Sequence, residues 1–167
     1  MADYWTQGSF AFRCTQSERA LLSEAFAAAQ QLTSETDAGE PSEALLAAFP
    51  PTESGAHWSG FRAVFPDPDF PHFGASFIPR DAPEDPAQVE VAIFGDLDFQ
   101  PEAIASVIQR CCSAALAAAP IGFEWADSCS RPRVDAFGGG WCAIRADRIE
   151  FGSTGEALSR ALDGGIA

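Results

Sequence analysis

Asp67-x-Asp69-x-x-His72 has the make-up of a divalent-metal loop: two carboxylates and an imidazole close together, stiffened by Pro66, Pro68 and Pro71. A Pro-Asp turn carrying an incidental histidine would read the same way, and that plainer reading is preferred. His57 stands alone in the sequence. The string Cys129-Ser130-Arg131-Pro132-Arg133 puts a thiol beside two cations, which favour the thiolate. The five-residue Cys-to-Arg loop of tyrosine phosphatases is not completed, because position 135 is Asp. A cysteine nucleophile also needs a base within reach, and both histidines lie in the other half of the chain. Cys111 and Cys112 sit on a predicted helix with the character of buried, inert thiols. Gly138-Gly139-Gly140 precede a strand-like run, "WCAIRA", rather than a helix. A phosphate cradle needs glycines that open a helix, and no Walker or dinucleotide motif is present. The glycines therefore predict a bulge or strand entry where a backbone or ring packs closely. No cofactor is implied.

Charge is the stronger signal. The chain has 24 acids and 10 bases, a formal −14, and every base is Arg. Residues 1–100 hold 16 of the acids and 4 arginines; residues 101–167 hold 8 and 6. Such a surface repels nucleic acid and anionic membrane and attracts basic proteins, although acidity that only keeps the protein soluble would read the same way and is the plainer reading. The acids concentrate in two base-free stretches, 35–53 and 81–98. Glu40, Glu43, Asp81, Glu84 and Asp85 are the candidate partner-binding acids. Trp58 and Phe70 are aromatics beside them that could anchor a protein partner. Tyr4 and Trp5 have the same terminal, off-core placement.

These residues must be held by ordinary elements. "SFAFRC" (9–14) alternates as a strand and runs into Thr15-x-x-Glu18, a capping box. The helix behind it, about 16–32, aligns Leu21, Leu22, Ala25, Phe26, Ala29 and Leu32. "SEALLAAF" predicts a short helix in the polar connection 33–57. "GFRAVFP" (60–66) and "HFGASFIP" (72–79) alternate as strands, and "VEVAIFGD" (89–96) is a third. Asp98 is placed to cap one continuous helix over about 99–118, with Pro101 in its first turn. Strands follow at 121–127, at "WCAIRA" and at "RIEFGS", the last two joined by a tight turn near Ala146-Asp147. Ser153-x-x-Glu156 is a second capping box and opens a final helix.

The order predicts one α+β domain over 1–167: an antiparallel or mixed sheet with helices on one face and a ferredoxin-like βαβ pairing of two halves. Halves 1–80 and 88–167 flank an acidic, proline-broken linker. The expected core is Phe12, Leu22, Phe26, Val91, Ile93, Ile104, Val107, Ile108, Phe123, Ile144 and Phe151. Five irregularly spaced cysteines with no C-x-x-C predict reduced thiols. No signal peptide or membrane span is read, so a cytoplasmic location is expected.

At "DFPHFGASF", "IQRCC" and "FGGGWCAIRADRIEFGST" the chain resembles small proteins of proteobacterial plasmids and integrative elements, over residues 65–162. No activity is assigned to that group, so the resemblance carries over no catalytic residue. It implies a mobile-element setting, in which small acidic proteins often inhibit host nucleic-acid-binding defence machinery. The expectation is a non-enzymatic protein that occupies a basic, nucleic-acid-binding partner, as a DNA mimic or anti-CRISPR-type inhibitor. The alternatives are a small metal-dependent or cysteine hydrolase, using Asp67, Asp69 and His72 or Cys129, and an accessory structural subunit.

Overall fold

The computed structural model describes residues 2–34, 38–81, 87–134 and 136–164. Six strands form one antiparallel sheet in the order β2-β3-β1-β4-β5-β6. They are β1 (Tyr4–Thr15), β2 (Ser76–Asp81), β3 (Gln88–Gly95), β4 (Ile121–Cys129), β5 (Gly138–Ile144) and β6 (Ile149–Ser153). The helices are α1 (Gln16–Thr33), α2 (Glu43–Ala48), α3 (Ser59–Arg62), α4 (Pro101–Cys111), α5 (Ser113–Ala118) and α6 (Thr154–Leu162). β1 organises the sheet: residues 8–15 pair with β3 and residues 4–8 with β4. β3 thus lies between β1 and β2, and β1 between β3 and β4, so the two β-α-β segments interleave.

Period-two alternation decides which face of the sheet is covered. In β3, Val89, Val91 and Ile93 are buried; in β4, Ile121 and Phe123; in β5, Cys142 and Ile144. These side chains meet Leu22, Ala25 and Ala29 of α1 and the buried stripe of α4, Ile104, Val107 and Ile108. On the other face Gln7, Ser9, Ala11 and Arg13 of β1 stay exposed. Most of the expected core is buried, with Phe12 and Phe26 packed half-buried against it. Phe151 is the exception, 43 % exposed on the edge strand β6.

Both capping boxes form, with Thr15 and Ser153 as N-caps and Glu18 and Glu156 reaching back. The hairpin between β5 and β6 closes where the Arg145 amide donates to the Arg148 carbonyl at 2.8 Å. The three glycines are β-strand: at Gly139, where φ is +152°, a Cβ would strike the Trp125 carbonyl, and at Gly140 it would strike the Trp125 ring.

Three elements differ from expectation. Residues 60–66 are no strand, because α3 turns there. Phe61 and Phe65 are buried and Val64 half-buried while Ala63 is exposed, a helical rather than alternating spacing. Gly60 also lies so close to the carbonyls of Phe49 and Pro50 that only glycine fits. The strand expected over 72–79 begins only at Ser76. Gly74 has φ +59° and abuts the Asp98 carbonyl, and the Gln100 amide donates to the Phe73 carbonyl at 3.0 Å. The helix expected over 99–118 breaks at Cys112. Asp98 does not cap it. Gln100 holds the cap position, and the Asp98 carboxylate instead accepts from Gln100 Nε2 at 2.8 Å.

Candidate functional site

The 38–71 segment forms a small lobe on top of α1, pinned by short polar contacts. Ser42 caps α2 by accepting from the Leu45 amide at 3.1 Å. Its own N–H and hydroxyl donate to the Glu24 carboxylate of α1, at 2.8 and 2.7 Å. Ser59 Oγ accepts from the amides of Thr52 and Glu53 at 2.9 and 3.1 Å, and donates to the Ala56 carbonyl at 2.7 Å. Arg62 donates to the Pro68 carbonyl at 2.8 Å, and Asp67 Oδ1 accepts from the Asp69 amide at 3.0 Å. Beneath lies an aromatic floor. Phe61 meets Phe49 and Phe65 edge-on, each at 5.3 Å between centroids, and Phe65 meets Phe73 at 4.9 Å.

These contacts enclose a cleft of about 600 Å³ whose charged and aromatic lining is Glu40, Glu53, His57, Trp58, Arg62 and Asp69. Glu40 and His57 pair directly across its rim through the carboxylate and Nδ1. Trp58 Nε1 donates to the Gly39 carbonyl at 3.0 Å, which fixes the indole along the wall. Two candidate partner-binding residues, Glu40 and Trp58, are thus brought to one cleft together with Asp69. Phe70 follows at the lobe's outer edge, 51 % exposed, its ring 5.2 Å from that of His72. Glu43 is exposed in the first turn of α2. Asp81 closes β2 at the sheet's edge, away from this lobe in the chain, while Glu84 and Asp85, like Glu35 and Asp37, lie outside the described residues.

Glu53 belongs to the acidic 35–53 stretch, whereas His57 is a site residue that the sequence did not single out. His57 stands alone in sequence, and only the fold brings Glu40 to it from the far side of α2.

The metal loop is not assembled. His72 turns to Asp98, Nε2 to Oδ2 at 3.4 Å, and no group of three His, Cys, Asp or Glu among the described residues is placed to hold a metal ion. The imidazole and the two aspartates diverge because Gly74 bends the chain back onto residue 98. All five cysteines are free and buried. Burial pushes the Cys14 thiol up to about 11 and those of Cys111 and Cys142 up to about 12, and raises Cys112 further still. Such thiols are neutral near pH 7 and poor nucleophiles. Cys129 is 8 % exposed at the end of β4, and Arg133 turns to the Tyr4 hydroxyl at 3.2 Å. In the cleft, Ser59 Oγ has both its lone pairs and its proton engaged within the lobe. What the arrangement can do is present carboxylates beside a fixed indole.

No family model matches the chain, and neither a curated protein nor a solved structure is similar to it. No helix among the described residues is long and apolar enough to cross a membrane.

Proposed function

We propose that the chain is a binding protein whose acidic lobe occupies a basic, nucleic-acid-binding surface of a protein partner. One observation carries this reading: apart from Glu40, which pairs with His57, the lobe's carboxylates have no cationic side-chain partner among the described residues. Residues 38–71 hold Glu40, Glu43, Glu53, Asp67 and Asp69 against a single cation, Arg62, which donates to a backbone carbonyl. Among the described residues no arginine lies within ion-pair distance of any of the five acids. Carboxylates held on a pinned scaffold beside Trp58 and Phe70 meet an arginine-rich groove with complementary charge and with ring faces for guanidinium stacking. The resemblance to mobile-element proteins supports a partner in host nucleic-acid-handling machinery, with the chain as a DNA mimic or an anti-CRISPR-type inhibitor.

The test begins with capture of the partner from the native host and its identification by mass spectrometry. Binding should compete with duplex DNA or RNA and weaken steeply between about 50 and 500 mM salt, where the screening length falls from roughly 14 to 4 Å. Reversing Glu43, Glu53 and Asp69 to Arg, all surface positions, should leave thermal stability within a few degrees of wild type and abolish capture. Capture that survives the reversals and is indifferent to salt refutes the reading.

A further inference from the structure

Besides the acidic cleft, α1 and the 71–75 turn enclose a second cavity, of about 350 Å³, which shares no lining residue with the first. Its walls are apolar: Phe26 and Ala29 come from α1, Phe73 and Ala75 from the turn, and the two phenyl rings stack at 4.3 Å between centroids. The walls are fixed to one another. The Thr33 hydroxyl lies between the carbonyls of Ala29 and Pro71, at 2.8 and 2.7 Å, and so ties α1 to the turn. The turn is anchored in its own right. Gly74 abuts the Asp98 carbonyl at φ +59°, and the Gln100 amide donates to the Phe73 carbonyl at 3.0 Å.

One ionisable side chain, His72, lines this cavity, and a row of polar groups stands behind it. Gln100 Nε2 donates to Asp98 Oδ1 at 2.8 Å, and Asp98 Oδ2 faces His72 Nε2 at 3.4 Å. The Phe70 ring meets the imidazole at a steep angle, 5.2 Å between centroids. Stability gives little reason for this row, because the His72 and Asp98 side chains are 33 % and 64 % exposed and exposed pairs contribute little. Its effect is on orientation. A carboxylate opposite Nε2 holds the proton of a neutral imidazole there, which leaves Nδ1 as a hydrogen-bond acceptor.

We propose that this cavity binds a small neutral phenol or aromatic alcohol, its ring against Phe26 and Phe73 and its hydroxyl donating to His72 Nδ1. Size, charge and polarity each select this class. The volume stands at the low end of the roughly 300–1,000 Å³ of small-molecule sites, which suits a ligand with a single ring. Asp98 beside the imidazole and the formal charge of −14 oppose a carboxylate or phosphate. The apolar walls give a cation no partner once it is desolvated. A neutral ring with one donor meets all three conditions, and pinned walls spare it the cost of ordering the site.

Amide chemical-shift mapping of the full chain with p-cresol, toluene and 4-methylbenzoate tests this. p-Cresol should shift the amides of residues 29–33 and 72–75 and saturate, with a dissociation constant on the order of 1 mM for so small a ligand. 4-Methylbenzoate should leave those amides in place. Ala75→Trp, which fills the cavity from a half-buried position, should abolish p-cresol binding. His72→Phe keeps a ring at the wall and removes Nδ1. It should weaken p-cresol about fivefold, the loss of one hydrogen bond, and leave toluene binding unchanged. That contrast holds whether or not the tryptophan variant folds. Scattered shifts that do not saturate overturn the proposal. So does a benzoate that binds as well as the phenol, a folded Ala75→Trp variant that still binds, or a His72→Phe variant that does not separate p-cresol from toluene.

Discussion

Glu18 is the one buried charged residue among those described, at 6 % exposure. Its capping-box role is local: one carboxylate oxygen accepts from the amide and hydroxyl of Thr15 at 2.9 and 3.0 Å. The other oxygen reaches across the fold to the amides of Ala114 and Ala115, at 2.6 and 3.1 Å, and so caps α5 as well. One carboxylate therefore ties the first turns of two helices and accounts for the break at Cys112. Glu18→Ala strands buried N–H groups at both termini and should cost about 3 kcal/mol. Glu156→Ala removes the equivalent group from an exposed box and should cost under about 1 kcal/mol. Urea denaturation of the two variants checks the contrast; equal losses would mean that the reach to α5 contributes nothing.

At the scale of elements, β1, α1, α4 and α5 close over a cluster of thiols. Cys14 is raised from 9.0 to about 11 by burial first and then by the charge of Glu18, and Cys111 from 9.0 to about 12, again mainly by burial. Cys142, under α4, follows to about 12. A raised thiol pKa means that the folded state binds the proton more tightly than the unfolded chain. The stabilisation is complete below about pH 9. Above it the unfolded chain ionises first, and stability declines as pH rises toward the folded values of about 11 and 12. The chain has no Lys and a single, exposed Tyr, so thiols dominate titration in this window. The urea midpoint should be flat from pH 7 to about 8.5 and fall steadily from pH 9 to 11, and Cys112→Ala should flatten the fall. A midpoint indifferent to pH up to 11 would contradict this picture of the thiol cluster.

For the molecule as a whole, the formal charge of −14 is the governing quantity. Between described residues the arginine–carboxylate pairs within 4.0 Å are few: Arg80 with Glu90, and Arg148 with Asp147 and Glu150. Exposed pairs of this kind contribute little, so mutual repulsion among the carboxylates goes largely uncompensated. Screening should relieve it. The melting temperature is expected to rise by several degrees between about 20 and 500 mM sodium chloride, and to rise less in the Glu43, Glu53 and Asp69 reversal variant. A melting temperature that falls with salt would indicate that attractive pairs outweigh the repulsion.

What the sequence determined by itself is what depends on neighbours a few residues apart. The Thr15 and Ser153 caps, the α1 stripe, the β5–β6 turn and the strand character of Gly138–Gly140 all rest on spacing, and all are found. The α+β class, with a sheet either antiparallel or mixed, follows from alternation broken by capped helices; that the sheet is antiparallel is decided by the strand pairing. Contacts between distant segments were not legible. Residues 60–66 look like a strand until the carbonyls of Phe49 and Pro50 press on Gly60. The 99–118 helix looks continuous until Glu18 caps its second part from 96 residues away. The same holds at the candidate site. Spacing joined His72 to Asp67 and Asp69, whereas the bend at Gly74 gives it to Asp98, and His57 gains Glu40 only when α2 folds back. Spacing along a chain encodes which groups share a helix face or a strand face. Which face meets which is decided by burial and backbone approach in three dimensions, and that belongs to the tertiary structure alone.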